Sequence, residues 1–294
     1  MHASTERRTL TSTPRGAPAD RGPAPRRGLS VLIFAVLLAA LTVWSAASLN
    51  IRPRSLSGLR NLFTLLAEAI PPDTALLSLA FSALLETLQI AFLGTMLGAA
   101  IALPLGLLGS RNLFPGPVTI PTRLILSAIR TLPALLWAVL FVVAVGLGPL
   151  AGVLASALYT VGYLGKLQYE AIEGINPAPI QAVSAAGASK GQLIRFVVLP
   201  ESANALLSQL LFMFEYNVRA SSIFGFVGAG GIGFYIAGYL TVFRYQSVLT
   251  LLLAVFVTVV VIDYASVRIR DRYLIPAHTP RRRVVDQIPQ PAAE

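Results

Sequence analysis

Between Arg130 and Lys166 the chain runs for 35 residues, Thr131 to Gly165, without a charge. A helix crossing the hydrocarbon core of a bilayer needs about 20 apolar residues, so this run is too long for one span and suits two. Gly146-Leu-Gly148-Pro149 supplies the break between them, since glycine and proline are the strongest local interruptions of a helix. Of the 294 residues, 12% are charged and 55% hydrophobic, whereas a soluble domain carries about 25% charged residues. The predicted fold class is an all-α polytopic membrane protein.

The remaining segments fall into place around that pair. Residues 1–27 are rich in Arg, Pro, Ala, Ser and Thr with no hydrophobic period, and read as a disordered basic tail. Residues 28–51 hold 24 residues from Gly28 to Ile51 with no charge. A signal-peptide core is about 7–15 residues long, so an anchor helix is the better reading even with Ser45-Ala46-Ala47 nearby as a cleavage site. Residues 52–74 are expected outside, with Leu59–Ile70 lying along the surface. A long domain of apolar spans then covers residues 75–272. Its spans are expected at about 75–109, 123–146, 149–168, 202–224 and 246–267. Arg111–Arg123 reads as a Pro/Gly loop, 225–245 as a glycine-rich hairpin, and 273–294 as a second tail.

With the first helix this makes six spans, so both termini share one side. Six basic residues in each tail, with Arg111, Arg123, Lys166, Lys190 and Arg195, put most of the 23 Lys and Arg on that same side. Positive-inside bias then makes it the cytoplasmic side of the plasma membrane. The same distribution explains the net charge of +10 through the lipid bilayer rather than through nucleic acid. Cysteine is absent and the two histidines, His2 and His278, sit in the tails. That excludes thiolate chemistry and leaves no intramembrane histidine for a metal or a general base, so an intramembrane enzyme is disfavoured. No metal or cofactor is expected.

The least apolar internal stretch is Gln181-Ala-Val-Ser-Ala-Ala-Gly187-Ala-Ser-Lys190-Gly-Gln-Leu-Ile-Arg195-Phe-Val-Val-Leu-Pro200. It reads as two short helices around a turn at Gly187, ended by Pro200, which cannot continue the preceding hydrogen-bond ladder. Its spacing resembles the signature loop of ABC-importer permeases: Glu-Ala-Ala, three residues, Gly, nine residues, Ile, one residue, Leu-Pro. Gly187, Leu199 and Pro200 match, Val197 stands for Ile, and Gln181 replaces the acid. The resemblance implies that Gln181, Ala182, Ala186, Gly187, Ala188, Ser189, Leu199 and Pro200 dock on a cytoplasmic ATP-binding subunit. Gln181 keeps an acceptor oxygen and loses the charge.

Further on, Gly228-Ala-Gly230-Gly231-Ile-Gly233 satisfies the dinucleotide fingerprint letter for letter, and Ile223–Val227 before it looks like a strand. No acid follows between Glu215 and Asp263, so the ribose contact of a nucleotide fold is missing. Glycine-rich backbone at membrane depth suits a gate lining a cavity. Glu215 and Arg219 are four apart in acid-first order and share a helix face. Charges in a span need a partner or a wet cavity. Glu86 and Gln89 are further polar groups in an apolar span, Arg130 is expected to snorkel to the cytoplasmic surface, and Asp263 reads as a solvated end charge.

Glu215-Tyr-Asn217-Val-Arg219-Ala-Ser221-Ser222 and the glycines after it resemble phosphonate-importer permeases and, more distantly, methionine-importer permeases, over about residues 75–272. The resemblance implies a type I importer fold of five core spans and a homodimer lining one path. It also implies a separate ATP-binding subunit and an extracytoplasmic solute-binding protein. Glu215, Asn217, Arg219, Ser221 and Ser222 are then expected along the path, and Gly228, Gly230, Gly231 and Gly233 at its gate. The cargo would be a phosphonate or related phosphorus oxyanion. The alternatives are another small solute, such as phosphite or a methionine-like amino acid, and a secondary transporter or channel lacking the docking loop.

Overall fold

The computed structural model describes residues 27–49 and 58–274; the expectations for the two tails and for the segment 50–57 lie outside them. The chain divides into two units, Met1–Leu62 and Phe63–Glu294. In the first, α1 (Arg27–Ser48) is a 22-residue apolar helix, about 33 Å long and sufficient to cross a bilayer. The amphipathic α2 (Gly58–Ala69) runs across the boundary between the units.

In the second unit α3 (Leu77–Gly109) is a 33-residue helix with Pro104 inside it. A short 3₁₀ turn, Thr74–Leu76, leads in and is capped by Asp73, whose carboxylate accepts from the Ala75 N–H at 3.1 Å. The Ser247 hydroxyl reaches the same carboxylate at 3.3 Å and the Thr250 hydroxyl the Asp73 carbonyl at 3.1 Å. Asp73 therefore fastens the start of α3 to the start of α11 (Tyr245–Ile269).

The expected third span is broken. α4 (Gly116–Thr131) and α5 (Ala134–Val145) meet at an angle of 86°. Pro133 lacks the N–H that would continue the helix and pushes Leu132 into extended backbone, φ −90°, ψ 132°, as a residue before proline prefers. The expected loop at Arg111–Arg123 is correspondingly shorter, because α4 already starts at Gly116.

α6 (Pro149–Glu173) runs parallel to α3, with α4 and α5 as the return path. The two helices approach closely along Gly94, Gly98, Ala102 and Gly106. A Cβ added at Gly98 would lie 2.5 Å from Thr160 Cβ and 2.6 Å from the Ala157 carbonyl oxygen. Small residues at four-residue spacing are what let membrane helices pack backbone to backbone.

Beyond α6 come α7 (Pro177–Ala185) and α8 (Lys190–Leu193). Contrary to the sequence expectation, Pro200 does not end the helix that begins at Lys190. A π turn over Ile194–Val198 lets the Leu199 N–H donate to the Ile194 carbonyl, five residues back, and α9 (Leu199–Phe224) continues with Pro200 in its first turn. The wider turn absorbs the missing proline donor. Ile223–Val227 is likewise no strand; it closes α9 and forms a 3₁₀ turn, Gly225–Val227. α10 (Ile232–Thr241) is short and apolar, and α11 ends in a π turn, Arg270–Leu274. Among the described residues five helices are long and apolar enough to cross a membrane, six with α4–α5 counted as one bent span.

Candidate functional site

At one end of the bundle Glu173, the last residue of α6, gathers the neighbouring turns. It accepts from the Arg111 N–H at 2.6 Å and pairs with Arg123, whose guanidinium also lies over the Tyr169 ring at 4.2 Å. The Asn112 amide donates to the Ile172 carbonyl at 2.8 Å. α7 starts just beyond, with Asn176 as its cap and Pro177 in its first turn. Ile180 and Val183 pack on a core of Leu113, Ile172, Leu193 and Val198. That fixes which side of α7 is left open. Gln181, Ala182, Ala186, Gly187 and Ser189 are exposed, Ala188 and Leu199 are half-buried, and Pro200 is exposed.

Gly187 has φ +82° and a Cβ there would meet nothing within 4 Å. Its requirement is a left-handed backbone, which other residues adopt at a cost. Ser189 and Gln192 then form a reciprocal capping box on α8. The result is an exposed ridge made mostly of small side chains.

At the other end the glycine-rich segment is anchored on α3. The Glu86 carboxylate accepts from the Gly231 N–H at 3.0 Å, and the Thr87 hydroxyl accepts from the Ile232 N–H at 2.9 Å. These two N–H groups open α10. Gly228, Gly230 and Gly231 all have positive φ, and a Cβ on Gly233 would sit 2.2 Å from the Ser222 carbonyl oxygen. The Gly148 N–H donates to the Gly228 carbonyl at 2.9 Å. A cleft of about 280 Å³ lies here, lined by Glu86, Pro149, Gly228, Gly230, Phe234 and Tyr235. Glu86 as the anchor of this loop was not legible in the sequence.

Between the two ends α9 carries polar groups on several faces. Asn217 is fully buried, and its amide donates to both Thr95 and Thr160 at 2.8 Å, tying α3, α6 and α9 together. Ser221 is also fully buried and Ser222 nearly so. The five residues expected along a path therefore do not share one face. Phe212, Tyr216, Arg219 and Ile223 do, at helical spacing, and Phe212, Arg219 and Ile223 are exposed.

The charge partners also differ from the expected single pair. Arg219 bonds Asp263 of α11 at 2.8 Å, while Glu215 Oε2 stands 4.0 Å away. The buried Glu215 is instead met by Arg270 at 2.8 Å. Asp263, expected as a solvated end charge, is half exposed and also pairs across the α9–α11 interface. Sequence offers no spacing signal for pairs 44 and 55 residues apart. The backbone N of Arg130 is 3.2 Å from where a Cβ on Gly162 would be. Gly162 precedes Glu173 by eleven residues, or about 16 Å of helix.

Among the described residues no group of three or more His, Cys, Asp or Glu side chains is placed to hold a metal. A helical bundle with a braced, exposed loop at one end and a glycine-lined cleft at the other has the architecture of a membrane transport subunit. Residues 94–274 match the family described as binding-protein-dependent transport system inner membrane component. The chain belongs to that family. It is 36% identical over 247 residues to the phosphite transport system permease protein PtxC of Stutzerimonas stutzeri, covering 84% of this chain and 89% of that protein. It is 37% identical over 205 residues to the phosphate-import permease protein PhnE of Mycolicibacterium smegmatis, covering 69% of this chain and 38% of that protein. An inward-facing structure of the MetNI methionine ABC transporter superposes with a TM-score of 0.61 at 26% identity, covering 68% of this chain and 98% of that one. The fold is that of ABC-importer permeases.

Proposed function

We propose that the chain is the membrane-spanning subunit of an ATP-driven importer of phosphonates or a related phosphorus oxyanion such as phosphite. It works as a homodimer in the plasma membrane, with its termini and the 181–200 loop on the cytoplasmic side. The observation that carries the reading is the face of α9 bearing Arg219. Arg219 and Asp263 have side chains 51% and 53% exposed, within helices otherwise suited to lipid. Charges at that depth are costly against hydrocarbon, so this face lines a wet path, closed by a second copy. The names of the similar permeases support the same cargo class. Glu215, Asn217, Ser221 and Ser222 act behind the face by holding α9 in place, and the glycines 228, 230, 231 and 233 form the gate.

Chemically the subunit is passive. The exposed ridge of Gln181, Ala182, Ala186, Gly187 and Ser189 fits a groove on a separate ATP-binding subunit, while a solute-binding protein delivers cargo to the opposite face. The test is to purify the chain from cells expressing it with its neighbouring subunits. An ATPase should co-purify, and wild-type complex should take up phosphite or methylphosphonate. Uptake of methionine instead would favour the amino-acid reading, and solute movement by the chain alone would favour a channel or secondary transporter.

A further inference from the structure

The four charges that join α9 to α11 form two bridges of different kinds. Glu215 and Arg270 meet at 2.8 Å with the acid buried, and opening such a pair leaves a buried charge uncompensated at high cost. Arg219 and Asp263 also meet at 2.8 Å, but both side chains are half exposed, and an exposed pair adds little to stability. The first bridge is a fixture. The second opens and closes at little cost.

The geometry of the second bridge leaves room for a competitor. Among the described residues it is held by one hydrogen bond, from Arg219 Nη2 to Asp263 Oδ1, whereas a guanidinium fork matches two oxygens of one anion. Letting go of Asp263 does not strand the arginine. Glu215 Oε2 stands 4.0 Å from the same nitrogen, one turn away on α9, and Glu215 is itself held in place by Arg270. The exposed neighbours at helical spacing are apolar: Ile223 and Phe212 on α9, Val260 and Val267 on either side of Asp263 on α11. An anion entering this face therefore meets Arg219 with one carboxylate already on it.

We propose that Asp263 sets how tightly the path holds its cargo: it is an internal counter-anion that the phosphorus oxyanion displaces from Arg219, and its return to Arg219 releases the cargo. The proposal rests on the reading of the α9 face as the path. One anion replaces another on the same guanidinium, so no cation is left bare among apolar side chains at any step. Competition from the carboxylate makes the site weaker than a bare arginine, and conduction requires a site weak enough to leave. A pair this exposed is open between about a sixth and a half of the time, and the apparent affinity for the anion falls by the same factor. Arg219 is the group that touches cargo; Asp263 acts through it as a positioning residue.

The test uses the complete complex in proteoliposomes. The readout is the concentration dependence of ATP-driven phosphite and methylphosphonate uptake, with subunit co-purification as the control for assembly. Asp263→Asn should lower the apparent KM about 2- to 6-fold and lower the maximal rate with it, because release loses its competitor. Asp263→Glu restores a carboxylate and should bring KM back to within about 2-fold of wild type. Arg219→Gln should raise KM about 10-fold or more. A carboxylate that only braced α11 against α9 would lower the rate without tightening KM, so an unchanged or raised KM in assembled Asp263→Asn overturns the exchange. If that variant fails to assemble, the wild-type complex decides. Labelling of Asp263 by a water-soluble carbodiimide should rise about 2- to 6-fold with saturating phosphite, and unchanged labelling overturns the proposal equally. Wild-type kinetics in Arg219→Gln would remove the path reading itself. Altered kinetics there beside an unchanged KM in Asp263→Asn would leave the path in place and remove the exchange.

Discussion

The Glu86 carboxylate accepts a hydrogen bond at 3.0 Å from the backbone N–H of Gly231, 145 residues further along the chain. Thr87 makes the neighbouring bond to Ile232 at 2.9 Å. Two consecutive residues of α3 thus satisfy the first donors of α10, which a helix cannot satisfy itself, and an acid there also complements the positive end of the helix. The glycine-rich segment is held at one edge by these bonds and bent by its own positive-φ residues.

Removing the Glu86 bond should loosen the segment without unfolding the bundle. Glu86→Gln keeps an acceptor and should retain most transport. Glu86→Ala leaves the Gly231 N–H unpaired, at a cost of about 1–3 kcal/mol. Hydrogen exchange at residues 228–236 should rise in the alanine variant, with uptake reduced. Unchanged exchange in Glu86→Ala would show that the carboxylate does not hold the segment.

Packing between α3 and α6 makes a sharper stability prediction. Gly98→Ala places its Cβ 2.5 Å from Thr160 Cβ, against a backbone carbonyl that cannot move aside. Overpacking of this kind costs about 1–3 kcal/mol, and thermal unfolding of the solubilised protein should show a clear drop. Gly238→Ala on α10 is the control, because a Cβ there meets nothing within 4 Å. It should be neutral or slightly stabilising.

The four charges on α9 and α11 should separate by burial. The Glu215 side chain is 7% exposed, so losing Arg270 leaves a buried acid with only Arg219, 4.0 Å away, for compensation. Arg270→Ala should therefore cost about 3–5 kcal/mol, largely restored in the double variant with Glu215→Gln. Asp263→Asn should cost about 0–1 kcal/mol, because both it and Arg219 are half exposed. Equal losses in the two single variants would contradict the pairing, and denaturation of purified protein gives the comparison.

How much of this was legible in the sequence follows from the range of each signal. Local signals worked: uncharged runs marked the spans, and Gly187 marked a left-handed turn between short helices. The bend at Pro133 was hidden because a proline within a span also fits a mild kink, although the helix before it carries Arg123 and Arg130 and the helix after it carries no charge. Pro200 misled for a related reason, since a π turn can absorb a missing donor and nothing local announces one. Asp263 and Arg270 as partners of Arg219 and Glu215 depend on how α9 and α11 cross, which no spacing encodes. The Gly94, Gly98, Ala102, Gly106 series has regular spacing, but only the α3–α6 contact shows it to be a packing stripe. Arg130 was visible as a charge in a span, but only the α4–α6 contact puts it at mid-bundle.

The central claim is that ATP hydrolysis in a partner drives a phosphorus oxyanion through this chain, coupled at the 181–200 ridge. The most direct measurement is uptake of phosphite and methylphosphonate into proteoliposomes containing the complex, comparing wild type with Gly187→Leu. A Cβ on Gly187 would meet nothing within 4 Å, and the residue needs its φ of +82°, so the substitution acts on the exposed ridge at a folding cost of about 1–2 kcal/mol. The account predicts uptake that requires ATP and the solute-binding protein in wild type, and its loss in Gly187→Leu with the protein still in the membrane. Uptake without ATP, or equal ATP-driven uptake in Gly187→Leu, would contradict it.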